Sequence, residues 1–191
     1  MTPPLSDLLR CTHAHWSPGI GDPTAGGWIT VLAYIAAAAL CALVARRREA
    51  GERVFWAVLL VLLLALGVNK ELDLQSALTA AGKCLAQAQG WYGTRRVVQR
   101  AFILGVGALC LGVGAFVLFA MRRSLRAVWP AVAGLAFLLA FVATRAASFH
   151  HMDQLIGMRV LGLKLNWVME LSGIGLIAAG AARRLGRERA A

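Results

Sequence analysis

The chain alternates between long apolar runs and short polar breaks. Five apolar runs stand out: Trp28–Ala45, Val54–Val68, Val97–Met121, Ala127–Ala147 and Leu165–Ala182. None alternates apolar with polar as a half-buried strand does. An α-helix needs roughly 17–25 residues to cross the hydrocarbon layer of a bilayer. In lipid the backbone must pair within its own segment or around a closed barrel, so continuous runs of this kind predict helices. The second run continues into a polar end near Gln75, and the fifth carries Glu170. Between spans two and three, "SALTAAGKCLAQAQGWYG" is too polar to cross and too apolar for a loop. It predicts a short amphipathic helix on the outer surface. The expected fold is all-α, an integral membrane bundle of about five transmembrane helices plus this short helix. It divides into an outer N-terminal arm (1–27), a transmembrane domain (28–182) and a basic tail (183–191).

Composition strengthens this picture. The chain is 59% hydrophobic, against 45–50% for soluble domains. A formal charge of +11 would suggest nucleic acid in a soluble protein. Here the basic residues punctuate apolar runs, and no soluble domain exists to present a basic face, so nucleic acid is excluded as a partner. The bilayer is the expected partner. Arg46, Arg47, Arg48 and Arg53 separate runs one and two; Arg122, Arg123 and Arg126 separate three and four; Arg183, Arg184, Arg187 and Arg189 follow run five. The positive-inside rule puts these breaks in the cytoplasm, with the N-terminus outside and the C-terminus inside. Trp28, Trp56, Trp129 and Trp167 near the starts of spans read as interfacial anchors. Gly105, Ala108, Gly112 and Ala115 suit close helix packing, as do Gly173 and Gly180. The start "MTPPLSDLLRCTHAHW" lacks the apolar core of a cleavable leader, so the first span is expected to direct insertion.

Candidate chemistry then gathers at the outer ends of the spans. Four polar stretches fall there: "CTHAHWSPGIGDP", "NKELDLQ", "SFHHMD" and "NWVMEL". No comparable cluster is expected at the cytoplasmic ends. Asn69, Asp73 and Ser76 follow i, i+4, i+7 spacing and would share a helix face, as would Asn166, Glu170 and Gly173. Glu170 sits about 7 Å below the start of its span at 1.5 Å per residue. An ionisable group at that depth marks function or a buried partner, and Lys70 and Arg145 are the available partners. Two readings stand side by side. In one, Asp73–Lys70, Glu170–Arg145 and His150–Asp153 simply fasten helix ends. In the other, Asp73, Ser148, His151 and Glu170 are candidate catalytic groups, with Asn69, Lys70, Gln75, Arg145 and Asn166 binding or orienting. His150, His151 and Asp153 are candidate ligands for a divalent metal. Haem is disfavoured, since all four histidines lie outside the apolar runs, and no nucleotide fingerprint appears. Cys41 and Cys110 read as packing residues. Cys11 and Cys84 both fall in outer segments and are a candidate disulfide.

"GVNKELDLQSALTAAGK", "GWYGTRRVVQRAF" and "RAASFHHMD" with "LNWVMEL" resemble a family of bacterial polytopic membrane proteins of about five spans that carries NKxLDLQ and SFHHxD motifs. The resemblance covers most of the chain from the second span onward. It implies a bacterial multi-pass membrane protein; with the arginine pattern, the expectation is the inner membrane with a periplasmic N-terminus and a cytoplasmic C-terminus. It carries no activity and no catalytic residue with it. It draws attention to Asn69, Lys70, Asp73, Gln75, His150, His151 and Asp153. The functional expectation is an outward-facing His/Asp/Glu pocket in a small metal-dependent membrane enzyme or metal-binding protein. The alternative is a non-catalytic subunit of a larger membrane complex or a homo-oligomer. Whether the chain is an enzyme stays open at this point.

Overall fold

The computed structural model describes residues 4–17, 19–147, 159–160 and 163–189. The described α-helices, in chain order, are α1 (Leu5–His15), α2 (Ala25–Arg46), α3 (Ala50–Leu72), α4 (Leu74–Ala88), α5 (Arg95–Met121), α6 (Leu125–Ala147) and α7 (Leu165–Arg189). A 3-10 turn, Tyr92–Thr94, precedes α5, and an antiparallel pair of two-residue strands, Arg159–Val160 with Leu163–Lys164, precedes α7. Among the described residues four helices are long and apolar enough to cross a membrane: α2, α3, α5 with its leading turn, and α6. The fifth long helix, α7, has 25 residues, a length of about 37 Å at 1.5 Å per residue.

The long helices stand in the order α3, α2, α7, α6, α5, each packing mainly on its neighbours. The core lies between them. Tyr34, Cys41, Trp56, Leu59, Leu63, Val128, Leu138, Ile174 and Ile177 are all within 2% of complete burial. Lipid is as apolar as leucine, so burying leucine between spans gains little. Close approach of backbones through small residues decides the packing instead. The α6–α7 crossing shows this. A Cβ added to Gly134 would lie 2.5 Å from the Gly173 carbonyl oxygen, and one on Gly180 would lie 2.8 Å from the Ala131 nitrogen. Gly173 and Gly180 therefore pack as their spacing suggested. The stripe on α5 does not: Gly105 and Gly112 have nothing within 4 Å of their Cβ positions. Helix α5 ends the row, and among the described long helices it packs mainly on α6.

Two local features set the ends. Thr24 caps α2, its hydroxyl accepting from the Gly27 amide at 3.3 Å, as a threonine at this position does for one of the orphan amides of a first turn. Asp73, at φ 45° and ψ 49°, ends α3 and starts α4 in the left-handed region, which aspartate tolerates better than most residues. The expected shared face of Asn69, Asp73 and Ser76 is therefore lost, because helical periodicity does not continue through a left-handed residue. The N-terminal arm holds a helix that the polar sequence did not suggest. α1 lies on α4, and a disulfide joins Cys11 to Cys84 with Cα atoms 6.0 Å apart. Ala80 and Cys84 are buried on α4, in keeping with its amphipathic pattern.

Candidate functional site

The most buried charged group among the described residues is Glu170, one and a half turns into α7 and 2% exposed. Its two carboxylate oxygens have separate donors. Tyr34 Oη on α2 donates to Oε1 at 2.9 Å. Lys70 Nζ on α3 donates to Oε2 at 3.1 Å. Three helices thus meet on one carboxylate. Lys70 also lies 3.9 Å from Asp22 Oδ2. Asp22 in turn accepts from the Trp167 indole Nε1 at 3.3 Å and from the Thr24 hydroxyl at 2.6 Å. The loop before α2 is docked over this cluster, with the Gly21 amide donating to the Glu71 carbonyl at 2.7 Å. Gly26 is required here: a Cβ on it would lie 2.5 Å from the Trp167 ring.

Burial of Asp22 opposes its ionisation. The Thr24 hydroxyl, the Trp167 indole, the Thr24 amide and nearby Lys70 outweigh that effect and hold the carboxyl below the ordinary carboxylate range. Asp22 is thus an anion that faces Lys70 from the more exposed side, its side chain 19% exposed against 3% for Glu170. Arg145, on α6, also acts electrostatically on Tyr34, and its guanidinium lies 5.9 Å from the Phe141 ring centroid.

Of the residues singled out in the sequence, the structure brings Lys70 and Glu170 into contact and sets Arg145 near them. Lys70 pairs with Glu170 and Asp22 rather than with Asp73. Asp73 is spent on the α3–α4 break and is half-buried. Asn69 is half-buried on α3. Ser148, His150, His151 and Asp153, and the side chains of Gln75 and Asn166, lie outside the described residues. The sequence reading passed over Tyr34, took Trp167 for an interfacial anchor and met Asp22 only as part of a polar stretch. Their signals were present: a lone phenol in the apolar run "VLAYIAAAAL", a tryptophan three residues before Glu170, and "GDPTAGG" placing an acid two residues before an N-cap.

The expectation that polar side chains gather at one end only is corrected. At the opposite, arginine-rich end, Arg184 grips Glu52 with two nitrogens, Nε at 3.1 Å and Nη2 at 2.6 Å. Arg48 lies 3.8 Å from the same carboxylate and donates to the Arg184 carbonyl at 3.0 Å. Glu52 looked unremarkable because its partner lies 132 residues away.

A third group sits on the α1–α4 pair. Cys11, His15 and Cys84 place one sulfur, nitrogen or sulfur each within 4.8 Å of the others. His15 Nδ1 lies 3.0 Å from the Cys11 carbonyl oxygen, a contact that fixes the ring and leaves Nε2 as the outward nitrogen. The thiolate is the metal-binding form of cysteine, and both sulfurs here are committed to the disulfide. Only the reduced protein would offer two thiolates and an imidazole, a donor set suited to zinc.

Comparison with protein families, with curated proteins and with solved structures finds no match for the chain.

Proposed function

We propose that the chain is a non-catalytic subunit of a membrane assembly, gripping its partner through α5. One observation carries this reading. None of the apolar window of α5 is buried within the chain, whereas the other three candidate spans each bury a substantial share of theirs. The exposed face carries large apolar side chains such as Leu104, Leu111 and Phe116, and a stripe of small residues runs between them. Gly105, Ala108, Gly112 and Ala115 are all exposed, on the side of α5 turned away from Val117 and Met121, which are buried toward α6. Small residues gain a helix nothing against lipid and gain close approach against another helix. The polar clasp supports the same reading from the other side. Both oxygens of Glu170 and both of Asp22 already have donors within the chain, which is what a cluster that fastens helices requires.

The arginine distribution supports a bacterial inner-membrane orientation with the clasp and the disulfide on the periplasmic side and Arg184 on the cytoplasmic side. The disulfide fits that compartment. The test is the size of the assembly extracted from native membranes in mild detergent. Wild type is expected to run above the mass of one chain, and Gly105→Leu/Gly112→Leu to fall to that mass with Cys41 still protected from alkylation. Wild type running as a single chain in every extraction would overturn the proposal.

A second reading, a metal-binding protein, is favoured by the Cys11–His15–Cys84 geometry alone. Elemental analysis of the reduced wild type beside His15→Ala separates the two. Stoichiometric metal lost in the variant would favour the second reading.

A further inference from the structure

The α5–α6 contact is incomplete at its arginine-rich half. An apolar groove of about 300 Å³ opens there, lined among others by Gly114, Leu118, Trp129, Val132, Ala136 and Leu139. It runs along α6 from Trp129 to Leu139, ten residues or about 15 Å at 1.5 Å per residue. That is half of a hydrocarbon layer roughly 30 Å thick, the depth of one leaflet. The groove lies on the side of α5 opposite the small-residue stripe, so it belongs to a different surface.

Arginines lie within a turn of the groove-lining residues at its arginine-rich end. Arg122 is four residues beyond Leu118, and Arg126 three residues before Trp129, so each extends a groove-lining stripe by one turn. The Arg183 guanidinium lies 5.8 Å from the Trp129 ring centroid, and that of Arg122 lies 4.4 Å from the Phe119 centroid. Arg122, Arg126 and Arg183 are all exposed. A guanidinium stacked on an aromatic face keeps its in-plane N–H groups, the fork that matches phosphate oxygens. Of the acids at this end, Glu52 is held by Arg184 and Arg48, while Glu49 lies at the start of α3 and Glu188 near the end of α7.

We infer that this groove is a binding site for one anionic phospholipid, an acyl chain lying along Val132 and Leu139 and the headgroup phosphate held by Arg122, Arg126 and Arg183. An apolar slot of leaflet depth closed by three cations matches a molecule with a leaflet-deep tail and an anionic head. A zwitterionic lipid such as phosphatidylcholine carries the same phosphate but sets a fixed choline cation beside the three arginines, so it fits the slot and is disfavoured at the charged end. Inorganic phosphate would satisfy only the cations.

The test is native mass spectrometry of the purified full chain with added phosphatidylglycerol, phosphatidylcholine or inorganic phosphate. The expected result is one phosphatidylglycerol per chain, retained at least about tenfold better than phosphatidylcholine, a difference of ~1.4 kcal/mol. Gly114→Leu fills the groove where the nearest atom to a new Cβ is Leu139 Cδ1 at 4.0 Å, and it should abolish retention. If that variant does not fold, Ala136→Leu blocks the same slot from its exposed side. Replacing the three arginines by lysine keeps the charge that sets topology and removes the fork, and should cut retention of phosphatidylglycerol toward that of phosphatidylcholine. Equal retention of the two lipids by wild type would overturn the inference. So would undiminished retention in both groove-filling variants, displacement of the lipid by an equal concentration of phosphate, or occupation of the groove by a second copy of the chain.

Discussion

Replacing Glu170 by leucine strips Lys70 of its closer counter-ion and Tyr34 of its acceptor. The Lys70 and Glu170 side chains are only 6% and 3% exposed, so water cannot step in. Breaking one partner of a buried pair costs about 3–5 kcal/mol, because the remaining charge stays buried. Asp22, 3.9 Å from Lys70, remains as a second anion, which places the expectation near the lower end, about 3 kcal/mol. Removing both charges together, Lys70→Met with Glu170→Leu, should recover most of the lost stability, since apolar replacements of buried pairs are neutral or stabilising by about 1–4 kcal/mol and only the Tyr34 hydroxyl is left without its acceptor. Cys41, 0% exposed in the core, is a native reporter: in a Cys110→Ser background its alkylation follows opening of the bundle. A loss of 3 kcal/mol raises the open fraction about 150-fold, so Glu170→Leu should alkylate about two orders of magnitude faster and the double variant should not. The reasoning is refuted if Glu170→Leu stays within about threefold of wild type, under ~0.7 kcal/mol. It is refuted equally if the double variant alkylates as fast as the single one.

Three further outcomes are expected. Reducing the Cys11–Cys84 disulfide, which closes 73 residues, should release α1 from α4 at a loss of up to about 4 kcal/mol by loop-closure entropy; amide exchange should then rise in Leu5–His15 and stay unchanged in α2. Asp22 has a folded value below its ordinary range, so its stabilisation is present above that range and is lost as pH falls through the folded value; acid-limb thermal melts of Asp22→Asn should be flatter with pH than those of wild type. Gly134→Leu drives a side chain into the Gly173 carbonyl and should destabilise by about 1–3 kcal/mol as overpacking does, whereas Gly175→Leu, with nothing within 4 Å of the Cβ, should melt as wild type does.

The spans were readable because lipid leaves the backbone one open solution, and apolar run length reports it directly. Break points were less readable. Asp73 lies inside a stretch whose composition stays helical from Val68 to Ala88, and the switch to a left-handed residue is one torsion that composition does not encode. Cys11 and Cys84 were linked by compartment and by elimination, since the other two cysteines fall mid-span. The partner of Lys70 was narrowed to a few carboxylates and no further. Spacing reveals which residues share a helix, whereas Lys70 and Glu170 are 100 residues apart and meet through the packing of α2 between their helices. The small-residue stripe on α5 misled for the same reason: it encodes a capacity for close packing without naming the helix that uses it.

The two clasps together fix how α3 and α7 are set. Helix α3 carries Glu52 near its start and Lys70 near its end, while α7 carries Glu170 near its start and Arg184 near its end. Lys70 meets Glu170 at one end and Arg184 meets Glu52 at the other, so the two helices are antiparallel and tied twice. Parallel docking would set Glu52 against Glu170 and Lys70 against Arg184, like charges at both ends in a medium that screens them poorly. Sliding one helix by a turn, about 5.4 Å, would separate the buried pair and leave two ions in lipid. Apolar helices in a bilayer have no such preference of their own, because every register buries leucine against something equally apolar. The buried pair therefore adds little to the depth of the native minimum and much to its uniqueness, the role best attested for buried polar groups. On that argument the double variant Lys70→Met/Glu170→Leu stays close to wild type in stability and becomes the less well-defined protein.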